Sequence, residues 1–213
     1  MDFKDMTVSA FAQGVGADTP LAGGGSISAL AGAYGAALVA MVSQKTILNK
    51  KYADAADHFR EVIAQCGSLR ENLLDGIQGD INSFRKFKSA LAMPKNTEEE
   101  KTARRDAMQE GLKAAIQAPL DVAEWCAELL PLCRDVITNG NKNAASDALV
   151  GLLMIRTAIL GAVYNIRINL QSITDEAYKT NMLKKADELQ KLAVEEEAAI
   201  LDLVPELTRC TSD

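Results

Sequence analysis

Between Ile27 and Val42 the chain reads ISALAGAYGAALVAMV, a stretch of alanine, glycine, serine and larger apolar residues with no charge. A helix that is small or apolar all round has no face to give to water, so neighbours must cover it on several sides. The rest of the sequence is suited to that task. Nearly every other segment places apolar residues at helical spacing, and strand-like alternation is hard to find. Aromatic residues make up 5% of the chain while alanine is abundant, which favours close helix–helix packing over a β-sandwich. The expected fold is all-α: a helical bundle with two central apolar helices, forming one domain over residues 1–213. Part of the apolar surface is expected to be covered by a second copy in a homodimer.

The expected elements follow from local signals. Phe3, Met6 and Phe11 suggest a short first helix that stops near Gly14 or Gly16. GADTPLAGGG is a loop by its turn residues. The apolar helix is expected from Ser26 to Leu48, with the Ser26 hydroxyl as N-cap acceptor. A long helical region from Tyr52 to Leu91 has Gly67, Gly76 and Gly79 as places for a bend. Pro94 ends it, and Thr97 with Glu100 forms a capping-box pattern for the next helix. That helix continues to about Thr138, with Pro119 and Pro131 expected to kink or break it. NGNKN is a turn, after which Ser146 and Asp147 open a second very apolar helix reaching Asn169. Thr174–Leu203 reads as an acidic amphipathic helix.

Composition narrows the function classes. The chain has 213 residues, 48% apolar and 24% charged, the balance of a globular domain. A formal net charge of −6 disfavours nucleic acid as a partner. The four cysteines, Cys66, Cys126, Cys133 and Cys210, lack C-x-x-C spacing and read as free thiols of a cytoplasmic protein. No basic, then apolar, signal segment opens the chain. Ile27–Val42 falls short of a ~20-residue membrane span and contains Gly32 and Gly35, so no membrane partner is expected. His58, the single histidine, lies in a polar context and reads as a surface residue. That rules out a multi-histidine metal site and makes a Ser-His-Asp triad implausible. GGGS lacks the lysine and spacing of a phosphate-binding loop.

Two features point to chemistry. In LLDGIQGDINSF, Leu73, Ile77, Ile81 and Phe84 share one helical face, and Asp80 falls on its edge while Asp75 points away. A carboxylate on an apolar face loses hydration, which favours its protonated form and suits general acid–base work. The alternatives are an ion pair with a nearby Arg or Lys, or a simple border with solvent. Further on, Asn165 and Asn169 lie four apart in an otherwise apolar helix. A buried amide needs partners, so these either satisfy backbone groups across a helix contact or bond a ligand. Asn139, Asn141 and Asn143 are ordinary turn residues.

Taken together, several stretches resemble the cyclodeaminase/cyclohydrolase family of folate enzymes. They are LAGGGS (21–26), MV (41–42), GDINSF (79–84), PKNTEEE (94–100), APL (118–120), GNKNAASD (140–147), YNIRINL (164–170) and ITDEAYK (173–179), in the family's order over nearly the whole chain. Ala22 replaces the proline usual before the glycine triplet, with Pro20 two residues earlier. The resemblance implies an all-helical, usually dimeric fold that takes a tetrahydrofolate as substrate, with no metal and no further cofactor. Asp80 matches the family's catalytic aspartate. Gly23, Gly24, Gly25 and Ser26 would form a backbone wall, and Asn141, Ser146, Asp147, Asn165 and Asn169 would orient the ligand. Lys45, Lys50 and Lys51 would attract its glutamate tail. The activity implied is 5,10-methenyltetrahydrofolate cyclohydrolase, with 5-formiminotetrahydrofolate cyclodeaminase or a non-catalytic folate-binding protein as alternatives.

Overall fold

A computed structural model describes residues 3, 6–19 and 22–208, and these form seven α-helices with no strand. The helices are α1 (Val8–Val15), α2 (Gly24–Ile47), α3 (Ala56–Leu91), α4 (Glu98–Asn139), α5 (Ala145–Leu170), α6 (Glu176–Leu201) and α7 (Pro205–Thr208). Short 3₁₀ turns, Lys50–Ala55 and Lys142–Ala144, join α2 to α3 and α4 to α5. Helices α2 and α4 each pack against both α3 and α5, and α6 lies on α5 and α4. One cluster of buried side chains runs through all of them, with Leu73, Ile116, Leu129, Leu152, Ile155 and Ile159 among its largest fully buried members.

Local signals set most boundaries. Thr97 caps α4 by accepting from the Glu100 N–H at 3.2 Å, and the Glu100 carboxylate accepts from the Thr97 N–H at 3.3 Å, completing the capping box. The expected breaks differ. Helix α3 runs unbroken for 36 residues through Gly67, Gly76 and Gly79. Helix α4 runs for 42 residues with Pro119 and Pro131 inside it. Proline 119 has no N–H for the carbonyl of Ala115 four residues back. The Asn169 side-chain amide of α5 donates to that carbonyl at 3.0 Å, so a neighbouring helix supplies the missing donor.

Small residues in α2 are contact points. A Cβ on Gly35 would lie 2.6 Å from Ile155 Cγ1 and 3.1 Å from the Gly151 carbonyl. One on Gly32 would press on Leu73 at 3.1 Å. The glycines therefore let α3 and α5 close on α2 and do not break it. At 24 residues α2 is longer than the uncharged run suggests. Both α2 and the segment Lys142–Leu170 are long and apolar enough to cross a membrane by length and composition. In this fold 56% and 44% of their most apolar stretches are buried inside the protein. Their outward faces keep Ile27, Tyr34, Val150, Leu153 and Tyr164 exposed.

Cys66, Cys126 and Cys133 are buried free thiols, and Cys210 lies outside the described residues. Burial pushes Cys66 and Cys133 up to about 12, and pushes Cys126 up as well.

Candidate active site at the start of α2

The glycine triplet does not stop before the helix, as the turn residues suggested, but runs into it. Gly23 is the N-cap and Gly24 begins α2, so Ser26 is its third residue and not its cap. Gly23 offers no side-chain cap, and the N–H groups of a first turn have no intrahelical acceptor. Ser26 is fully buried, and its hydroxyl turns away from the helix end. It donates to Asp80 Oδ2 at 2.7 Å, with the Ile77 carbonyl at 3.4 Å. Ser28, which the sequence did not single out, donates to the Gly24 carbonyl at 2.8 Å and ties the first turn down.

Asp80 is half-buried on α3, where the first turn of α2 crosses it. A Cβ added to Gly25 would overlap its Oδ1, so glycine is what admits the carboxylate to this position. Negative charge is favourably placed at a helix N-terminus. On the other flank, the Asn165 amide of α5 sits over Gly24: a Cβ there would lie 3.3 Å from Nδ2 and 3.8 Å from Oδ1. Asn165 Nδ2 also donates to the Gly161 carbonyl at 2.8 Å. Gly161 in turn leaves room for Ser28, since a Cβ there would overlap its hydroxyl. Thus Gly23, Gly24, Gly25, Ser26, Asp80 and Asn165 come together at one point, with a carboxylate on one side and an amide on the other.

The remaining predicted residues lie elsewhere. Asn169 is committed to Ala115. Lys45, Lys50, Lys51, Asn141, Ser146 and Asp147 gather at the opposite end of α2. Twenty residues of helix separate Gly25 from Lys45, about 30 Å at 1.5 Å per residue. There Lys45 pairs with Asp147 at 3.1 Å, and Asn141 donates its amide N–H to Thr46 Oγ1 at 2.8 Å and its side-chain N–H to the Lys45 carbonyl at 3.3 Å. Ser146 is exposed, and it is not the cap of α5, which begins one residue earlier. Lys50 and Lys51 are exposed. His58 is a surface residue as expected, its ring nitrogen 2.6 Å from Asp135. Among the described residues no three His, Cys, Asp or Glu side chains converge as metal ligands.

A carboxylate held by a hydroxyl, beside open backbone donors and an amide, can move a proton at a substrate nitrogen or oxygen. Comparison with known proteins says which family such a chain resembles. The formiminotransferase-cyclodeaminase family model matches residues 7–188. The chain belongs to this family. It is 36% identical to the methenyltetrahydrofolate cyclohydrolase of Methylorubrum extorquens over 183 residues, covering 86% of this chain and 88% of that protein. It is 32% identical to the formimidoyltransferase-cyclodeaminase of Rattus norvegicus over 92% of this chain, but spans only 36% of that longer protein. The crystal structure of a formiminotetrahydrofolate cyclodeaminase from Thermotoga maritima superposes with a TM-score of 0.87 at 25% identity, covering 97% of this chain and 99% of that one. The fold and the folate family that the motifs implied are thus both present.

Proposed function

We propose that this family member is a 5,10-methenyltetrahydrofolate cyclohydrolase with Asp80 as its acid–base group. The observation that carries the reading is the Asp80–Ser26 pair at the open first turn of α2, 2.7 Å across. Similarity over nearly the full length of a cyclohydrolase favours that activity. Asp80 takes a proton from water as its oxygen bonds to the bridge carbon between N5 and N10. The resulting tetrahedral carbon collapses as Asp80 returns the proton to N5 and the N5–carbon bond breaks. The remaining hydroxyl proton passes to solvent as the formyl C=O forms, and 10-formyltetrahydrofolate leaves. One positioned carboxylate contributes typically ~10²–10⁴-fold to such a transfer. Ser26 fixes the carboxylate, while the Gly24 and Gly25 N–H groups offer donors to oxygen forming on the bridge carbon. Asn165 orients the ring edge above Gly24.

The Thermotoga relative favours a second reading, 5-formiminotetrahydrofolate cyclodeaminase. There N10 attacks the formimino carbon, its proton passes through Asp80 to the departing nitrogen, and ammonia leaves. Purified protein mixed with each folate separates the two. Loss of methenyltetrahydrofolate absorbance identifies the cyclohydrolase, and its appearance with ammonia identifies the cyclodeaminase. Binding heat without either change leaves a folate-binding protein, and silence in all three overturns the folate assignment.

The proposed enzyme is cytoplasmic and uses tetrahydrofolate as substrate, with no metal or second cofactor and with neither nucleic acid nor membrane as partner. It works as a homodimer in which a second copy covers the exposed face of α2 and α5. Val150, Leu153, Thr157 and Tyr164 line that face of α5 at steps of three, four and seven, with no charge among them. An antiparallel pairing would set the lysine end of one copy near the Asp80 end of the other, the one arrangement in which Lys45, Lys50 and Lys51 serve the glutamate tail. Light scattering should give twice the chain mass, and Tyr164→Glu should give the single chain.

A further inference from the structure

Phe84 departs from the helical pattern that contains it. Leu73, Ile77 and Ile81 share its face of α3 and are buried, yet Phe84 is 61% exposed. Helix α2 packs along this face of α3. The two helices run antiparallel, with Gly32 against Leu73, Gly76 against Ala29, and Gly25 against Asp80. Continuing that register, Phe84 falls opposite a position just before α2 begins at Gly24. It lies on the same side of α3 as Asp80, four residues and about 6 Å further along the axis. Its exposed neighbours Asn82, Arg85, Lys86 and Lys88 are polar. On the other flank α5 repeats the arrangement: Asn165 stands over Gly24, and Ile168, three residues on, is 60% exposed.

We propose that Phe84 is a substrate-positioning residue, the apolar wall on which a ring of the folate lies while Asp80 acts on its one-carbon bridge. The proposal rests on reading the Asp80 site as a folate site. The reacting carbon joins N5 of a flat bicyclic ring to N10 beside a benzoyl ring, so any site that acts there has to receive flat aromatic faces next to the acid. The first turn of α2, Ser26, Asp80 and Asn165 supply polar contacts only. Phe84, one turn past Asp80, supplies a flat one. Stacking of a flat heteroaromatic ring on an aromatic side chain contributes to binding whichever heterocycle is offered.

The test uses the intact protein with Phe84→Ala, Phe84→Leu and Phe84→Trp. Phe84→Ala should raise KM for methenyltetrahydrofolate about tenfold, the size of a lost aromatic stack, with kcat nearly unchanged. Leucine, apolar but not flat, should fall between alanine and wild type, and tryptophan should restore KM. In Phe84→Trp the indole emission should be quenched in a saturable manner by 5-formyltetrahydrofolate, a readout independent of turnover. An unchanged KM in Phe84→Ala together with an unquenched Phe84→Trp overturns the proposal, as does a fall in kcat with no change in KM. In those cases wild-type turnover persists and the folate reading stands. If the wild-type protein neither turns over nor binds a folate, it is the underlying reading that fails.

Discussion

The two ends of α2 hold most of the residues the motifs pointed to, and they are built differently. At the far end Thr46, Asn141, Lys142 and Lys45 all have protein partners. Thr46, fully buried, donates to the Val42 carbonyl at 2.8 Å and accepts from the Asn141 N–H at 2.8 Å. Lys142 Nζ donates to the Ile137 and Thr138 carbonyls at 2.7 Å and closes the last turn of α4. Lys45 is paired with Asp147. These are partners of the kind helix ends need, and they occupy Asn141, Lys142 and Lys45. At the near end the cap is a bare glycine, and the first-turn donors face a carboxylate and an amide carried by two other helices. One end is tied down by side-chain partners, and the other leaves first-turn donors without a side-chain cap.

Substitutions can break that contrast. The largest effect is expected from Asp80→Asn, which can still accept from Ser26 and so keeps the fold. It should lose about 10²–10⁴-fold in kcat, the typical contribution of a general acid–base group. Full activity in this variant would remove Asp80 from the chemistry. Gly25→Ala comes next. Its methyl would displace the flexible end of Asp80, and a misplacement near 1 Å can lower turnover by about 10²-fold. Thermal unfolding should change little, so a large stability loss with intact kcat would make this end structural too.

The far end should respond in the opposite sense. Thr46→Val keeps the shape but leaves the Asn141 N–H without its acceptor, which should cost about 1–3 kcal/mol in urea unfolding with kcat unchanged. Lys45→Ala should have the smallest effect. Its ion pair is about half exposed, and such pairs contribute about 0–1 kcal/mol. A KM rise confined to long-tailed folates would tie Lys45 to ligand through a second copy. An unchanged KM for those folates would leave it purely structural.

Some of this was legible in the sequence because it depends on residues close along the chain. The Thr97–Glu100 box, the turn at Gly140 and the apolar span of α2 and α5 are local. Even the 30 Å between Gly25 and Lys45 follows once a single helix joins them. The placement of Asp80 on the edge of an apolar face followed from helical period alone. Other features needed the neighbour. Ser26 looked like a cap because serine often is one, yet the helix starts two residues earlier, where α3 offers Asp80 as an acceptor. Pro119 looked like a break because the donor that rescues the Ala115 carbonyl comes from Asn169, 54 residues away. Phe84 looked like core because nothing local says where the helix opposite it ends.

The order of residues therefore determined an all-helical chain, its two apolar helices and the folate family to which its motifs belong. Those properties rest on periodicity, capping and the small side chains that close packing requires. Only the tertiary structure decided which polar groups meet. A glycine can admit a carboxylate, and an aromatic can stay in water, only according to where another helix begins. That is fixed by packing between segments more than 50 residues apart.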